Sequence, residues 1–207
     1  MKQTHDKRRV AWIALAATAW IVAVGTGFGA LRVYAHTPGV RGQVPLEWPA
    51  LEAVLRQEGR PTLILLAHPR CSCTRATLRE LERLVARAGG DLVGTVLFYR
   101  PVEAAPGWER TDLWHLAESI PGFHAEVDPG GAAARAFGAH TSGHAVLYDA
   151  AGELVFSGGL TASRAHEGDN RGCDAIREFL LSGRVVERET PVYGCRIQPV
   201  SCPRCDG

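Results

Sequence analysis

The sequence predicts an α/β domain, a central mixed sheet flanked by helices, preceded by one N-terminal transmembrane helix. Three observations predict it. An uncharged run extends from Val10 to Leu31. An all-apolar stretch, Thr62 to Ala67, is followed at once by a cysteine-bearing turn and a helical pattern. Short apolar runs and amphipathic segments then alternate, and a two-strand hairpin signature precedes the last helical segment.

Each element has a local reason. A spanning helix needs ~20 apolar residues, and Val10–Leu31 supplies them without a polar face. Lys7, Arg8 and Arg9 precede the run and only Arg32 follows it closely. The positive-inside rule therefore leaves the N-terminus in the cytoplasm and sends the body outside. A cleaved signal peptide is the rival reading, with Val33-Tyr34-Ala35 as the cleavage site, although the run exceeds the usual signal core. Either way the body is exported, and a single-pass protein of a bacterial inner membrane with its C-terminal domain in the periplasm is expected. The expected divisions are 1–9 cytoplasmic, 10–32 transmembrane anchor, 33–48 linker, 49–185 α/β domain and 186–207 cysteine-containing tail.

Leu51, Val54 and Leu55 predict a short leading helix between Pro49 and Glu58. Thr62–Ala67 reads as a strand buried on both faces. Thr74 to Ala88 reads as a helix with Leu78, Leu81, Leu84 and Val85 on one side, stopped by Gly89-Gly90. Leu92 to Tyr99 is a second strand, and Thr111 caps a helix reaching Ser119. Asp128-Pro-Gly-Gly131 is a turn and Ala132 to Phe137 a short helix. Ala145–Tyr148 and Glu153–Phe156 form a hairpin about Asp149-Ala-Ala-Gly152. Asp169 or Asn170 caps a last helix ending near Leu181.

Of the 207 residues, 46% are hydrophobic and 22% charged, and the net charge is +1. These values are ordinary for a folded domain and give no reason to expect a nucleic-acid partner. No organic cofactor is expected.

The chemistry centres on His68-Pro-Arg-Cys-Ser-Cys-Thr74. A thiol at a helix N-terminus meets the positive end of the macrodipole, which favours thiolate. Arg70 and Arg75 add positive charge nearby. Cys71, taken as outermost, is the expected nucleophile, and Cys73 the resolving thiol. His68 is placed to move protons. The single spacer makes a tight disulfide ring, so the pair is expected to donate or isomerise disulfides. Exported protein thiols or disulfides are the expected partners, with the membrane engaged through the N-terminal helix.

Three more cysteines lie near the C-terminus. Cys195, Cys202 and Cys205 admit three readings: a flexible tail with a local disulfide, a relay that exchanges with Cys71, or three ligands of a zinc site needing a fourth. Cys173 is expected to begin the last helix and pack as a small hydrophobe. No metal ligand set is firm. His166 lies in a glycine-rich loop that approaches the strand ends, where ligands collect in open α/β sheets.

The element order, the cysteines after the first core strand and the segment Asp128-Pro-Gly-Gly-Ala-Ala-Ala-Arg-Ala-Phe-Gly138 together resemble the thioredoxin-like superfamily, and in particular its TlpA-type periplasmic members. The resemblance covers about Pro61 to Leu181. The Cys-x-Cys, Ser157-Gly-Gly159 and Gly168-Asp-Asn170 elements are similar to bacterial membrane-anchored RedB-like proteins. The resemblance implies a thiol-disulfide oxidoreductase. It also implies a cis-proline loop facing the cysteines, whose position falls here at Gly143, after Ser142. Two departures follow: Cys-x-Cys replaces Cys-x-x-Cys, with Arg70 in place of a tryptophan, and glycine does not favour a cis peptide. Two other functions fit the same fold. One is a metal-binding assembly protein like the copper-delivering Sco type, since paired thiolates suit Cu(I). The other is a redox-inactive scaffold.

Overall fold

In a computed structural model, residues 2–51, 54, 56–89 and 91–197 are described. The chain separates into two units, Met1–Thr37 and Pro38–Gly207. The first is a single helix, α1 (Lys2–Ala35). From Arg8 to Ala35 it is long and apolar enough to cross a membrane, with a mean hydropathy of 1.8 in its most apolar stretch. Two threonines of this stretch return their hydroxyls to their own helix: Thr18 donates to the Ala14 carbonyl and Thr26 to that of Val22, both at 2.9 Å.

The second unit contains β1 (Thr62–Ala67), α2 (Ser72–Arg87), β2 (Val93–Arg100), α3 (Asp112–Glu118), β3 (Phe123–Pro129), α4 (Ala132–Ala136), β4 (His144–Tyr148), β5 (Leu154–Gly159) and α5 (Arg171–Ser182). The sheet order is β3-β2-β1-β4-β5. The first three strands run parallel, β4 is antiparallel to β1, and β5 is antiparallel to β4. This is a thioredoxin-like fold, in which β2-β1-β4-β5 make the core sheet and β3 extends it.

Strand β1 sits at the centre, and its alternation divides the core. Leu63, Leu65 and Ala67 face one cluster, with Leu78, Leu81 and Leu84 of α2, Trp114 of α3 and Ile176 of α5. Ile64 and Leu66 face the other, with Ala133 and Ala134 of α4, Phe137, Tyr148 and the distant Ile197. A strand buried on both faces must be apolar at every position, which is why Thr62–Ala67 reads so plainly.

Two elements differ from expectation. The described residues between Pro49 and Gln57 are not helical. Val54 is buried all the same and Leu51 packs beside it against the second cluster. The apolar spacing there serves packing, and a segment this short gains little from helix formation alone. The second difference is β3, unforeseen because His124, Glu126 and Asp128 break up its apolar residues. It is an edge strand pairing only with β2, so one side needs no hydrophobic run. Asp128 ends it by accepting the amides of Ala133 (2.8 Å) and Ala134 (3.0 Å), which starts α4. The remaining elements lie within a few residues of their expected bounds, and Asn170 caps α5 by accepting the Cys173 amide at 2.8 Å.

His144, at the start of β4, is almost wholly buried, and burial brings its pKa down to about 4. Its Nε2 pairs with Ser157 Oγ at 2.8 Å. An unfolded chain takes up this proton near pH 6.5, so the folded state loses stability as pH falls from 6.5 towards 4. The full loss is about 3 kcal/mol at 1.36 kcal/mol per unit. Thermal melts of wild type and His144→Gln at pH 7 and pH 4.5 check this: the acid shift should be clearly smaller in the variant. Leu65→Ala should cost roughly 2–5 kcal/mol, read from the urea midpoint.

Candidate redox site

The site forms where β1 ends. Cys71 N donates to the His68 carbonyl at 3.2 Å, closing a tight turn, and Cys71 becomes the N-cap of α2 in an extended conformation. Cys73 lies one residue into the helix. The turn is pinned from two sides. Thr111 Oγ donates to the Pro69 carbonyl at 2.9 Å while also capping α3. Ser142 Oγ accepts the His68 amide at 2.7 Å and shares a 2.7 Å hydrogen bond with the Thr74 hydroxyl.

Gly143 follows. Its amide donates to the Leu66 carbonyl at 2.8 Å, and its φ of +89° suits glycine. A Cβ there would lie 2.9 Å from Thr77 Oγ1. The described chain contains no cis peptide bond. The loop that a cis-proline would shape is built here by a positive φ and by Ser142, which joins the end of β1 to α2.

Cys71 is not outermost, contrary to the sequence expectation: it is 1% exposed and Cys73 4% exposed. The cover comes from the C-terminal segment. Residues 193–197 run antiparallel beside residues 140–142, with Thr141 opposite Arg196. Ser142 N donates to the Cys195 carbonyl at 2.8 Å, and Ile197 N to the His140 carbonyl at 3.0 Å. Gly194 permits the approach, since a Cβ there would sit 1.9 Å from the Ser142 carbonyl oxygen. Arg164 donates to the Gly194 carbonyl at 2.7 Å. Cys195 is thereby set against Cys71, and it is itself exposed. Cys202 and Cys205 lie outside the described residues.

The three thiols influence one another's ionisation. The Cys71 pKa is strongly lowered, first by the Cys73 thiol, and then by the Cys195 thiol and amide and the Thr74 amide, against the opposing effect of burial. Cys73 is pushed up, chiefly because its proton is held on the Cys71 sulfur. Cys195 is pushed up by burial and by the same sulfur. The nearby arginines are engaged elsewhere: Arg70 stacks over Trp108 at 4.4 Å, and Arg75 pairs with Asp112. The source of the Cys71 thiolate is therefore thiol and amide donors, where the sequence pointed to arginine charge.

His68 lies between the rings of Tyr99 and Trp108, with centroids at 6.0 and 5.8 Å. Burial lowers its pKa, with the Cys71 charge opposing. Its Nδ1 accepts the Arg70 amide at 3.2 Å, which leaves the proton of the neutral ring on Nε2. The glycine-rich loop reaches the site through the Ala165 backbone amide, which bonds the Cys73 sulfur, while His166 is exposed. Burial pushes the Cys173 thiol up to about 12. Among the described residues no group of three or more His, Cys, Asp and Glu side chains is arranged to hold a metal ion. Sequence reasoning missed the Tyr99–His68–Trp108 stack and the Thr74–Ser142 bridge, because both join residues distant in sequence.

No protein-family model matches this sequence, and no curated protein matches it. Solved structures are similar to it. A hypothetical protein from Sinorhizobium meliloti is 20% identical, with a TM-score of 0.61 over 78% of this chain and 98% of that one. An uncharacterised conserved protein from Geobacillus kaustophilus is 22% identical, with a TM-score of 0.58 over 81% of this chain and 94% of that one. The exposed lipoprotein thioredoxin of Streptococcus pneumoniae is 20% identical, with a TM-score of 0.43 over 60% and 85%.

Cys71, with its depressed pKa, stabilises the reduced fold as the pH rises. Its contribution grows as pH rises through the folded pKa and is complete above the unfolded value of ~8.5. Cys73 and Cys195, held protonated, act oppositely above ~8.5. Reduced protein should therefore melt highest near pH 8 and lower on either side. Thiolate absorbance at 240 nm should show one ionised thiol at neutral pH, lost in Cys71→Ser and titrating at higher pH in Cys73→Ala.

Proposed function

We propose that this protein is a membrane-anchored thiol-disulfide oxidoreductase of the periplasm, acting on the thiols or disulfides of exported proteins through Cys71 and Cys73. The observation that carries the reading is the placement of Cys71, at the N-cap of α2 beside Cys73, where its neighbours lower its pKa. A low-pKa thiolate is a ready leaving group, and stabilising the reduced form makes a disulfide more oxidising. In this reading Cys71 exchanges with the partner sulfur and Cys73 resolves the mixed disulfide. Neutral His68 sits beside the thiolate to relay protons. Arg70, flat on Trp108, borders the site, while Ser142 and Gly143 position the cysteine turn.

Export rests on α1, which is long enough to cross a bilayer, and on Lys7, Arg8 and Arg9 against Arg32 at its two ends. In the proposed organisation, residues 10–32 anchor, 33–48 link, 49–185 form the redox domain and 186–207 the tail. A partner there meets an oxidising compartment, where disulfides persist.

The test is disulfide formation in a reduced, unfolded protein substrate by the purified full chain in detergent, with oxidised glutathione as the oxidant. Cys71→Ser should lower the rate at least ~100-fold, as removal of a covalent nucleophile does. Cys73→Ser should slow turnover and accumulate a mixed disulfide with substrate. A Cys71→Ser variant with the wild-type rate would exclude the reading and leave a scaffold role.

A further inference from the structure

We propose that Cys195 is a third catalytic thiol: it forms an alternative disulfide with Cys71, and its sulfur is where a partner protein's thiol enters. The inference rests on the oxidoreductase reading above and adds the route by which electrons reach the buried pair.

The argument starts from access. Cys71 and Cys73 are 1% and 4% exposed, and disulfide exchange requires an incoming sulfur to reach one of them. Cys195 alone of the three is exposed, and its carbonyl accepts the amide of Ser142, whose hydroxyl in turn meets His68 and Thr74 on either side of Cys71. The segment that carries it is built into the fold. Ile197 is 2% exposed and belongs to the core cluster behind the sheet. Val192 is buried, and its carbonyl accepts the Gly39 amide at 2.8 Å. The paired backbone at 140–142 and the Gly194 contact fix the residues between. Cys195 therefore stands at a defined place beside the cysteine turn, near enough to Cys71 to shift its pKa, and open to solvent.

The chemistry follows from which sulfur can be attacked and which can leave. In the Cys71–Cys195 disulfide the exposed sulfur is Cys195. A partner thiolate attacks it, the bond to Cys71 breaks, and Cys71 departs as a thiolate held by the Cys73 thiol and the Thr74 amide. The partner's second thiolate then attacks the partner sulfur of the mixed disulfide and releases Cys195, which takes up a proton. In sum, one partner dithiol is oxidised to a disulfide and the Cys71–Cys195 disulfide is reduced. Of the two thiol protons, one ends on Cys195 and the other goes to solvent. Cys71 is common to both pairs. Attack by Cys195 on a Cys71–Cys73 disulfide moves the bond outward and frees Cys73 to take the proton, with no net change in oxidation.

The test is disulfide mapping on the full chain in detergent, with Cys173, Cys202 and Cys205 replaced by serine, after equilibration in glutathione mixtures. Both Cys71–Cys73 and Cys71–Cys195 linked peptides should appear. Cys73→Ser should retain the second pair, and added glutathione should be captured on Cys195. Cys195→Ser should lower oxidation of a reduced protein at least tenfold and leave the Cys71–Cys73 pair in place. If Cys71–Cys73 forms but Cys71–Cys195 never does, with glutathione captured on Cys71, this inference is overturned and the oxidoreductase reading stands. If neither pair forms, both fall.

Discussion

A sulfur anion stripped of water must be solvated by the protein or give up its charge. At Cys71 the protein supplies that solvation. The donors come from two places in the chain: the adjacent helix start, with Cys73 and Thr74, and the C-terminal segment, with Cys195. The rest of the site exists to bring those donors together. Ser142 joins β1 to α2 through His68 and Thr74, Thr111 fixes Pro69, and the Gly143 backbone seats the loop on Leu66. Short hydrogen bonds between secondary elements hold the geometry, while the two hydrophobic clusters on either side of β1 hold the elements.

The charge is stabilised by neutral donors, and this has a chemical consequence. A thiolate made by nearby cations is screened by salt. One held by thiol and amide donors in a covered site is screened far less, and it keeps a poised proton on each neighbouring sulfur. Covering the site also limits which thiols reach it. The backbone at 140–142, which borders the cysteines, is already paired with the chain's own residues 193–197, so a partner strand does not find that edge free.

Much of this architecture was legible in the sequence where periodicity and burial coincide. Thr62–Ala67 reads as a central strand because every position is buried, and α2 reads from its leucine spacing and its glycine stop. The cysteine turn was legible because a strand-to-helix junction is local. Strand β3 was hidden because an edge strand needs no continuous apolar run; Leu51 and Val54 misled because they serve packing, while Leu55 lies outside the described residues. The cover over Cys71 was the least legible feature. It depends on Gly194 meeting Ser142 and on Ile197 reaching a core more than a hundred residues away in sequence. The loop at Gly143 was flagged by what it lacks, a proline, although the residue that does the work is its neighbour Ser142.

The central claim is that the Cys71 sulfur is held as a stabilised thiolate and so forms an oxidising disulfide. Its reduction potential tests this most directly, measured on the full chain in a glutathione series with mass spectrometry identifying the paired sulfurs. The account expects a reversible disulfide at Cys71 with a potential well above the ~−270 mV of a reducing thioredoxin. A potential at or below that value, or no reversible disulfide at Cys71, would contradict it.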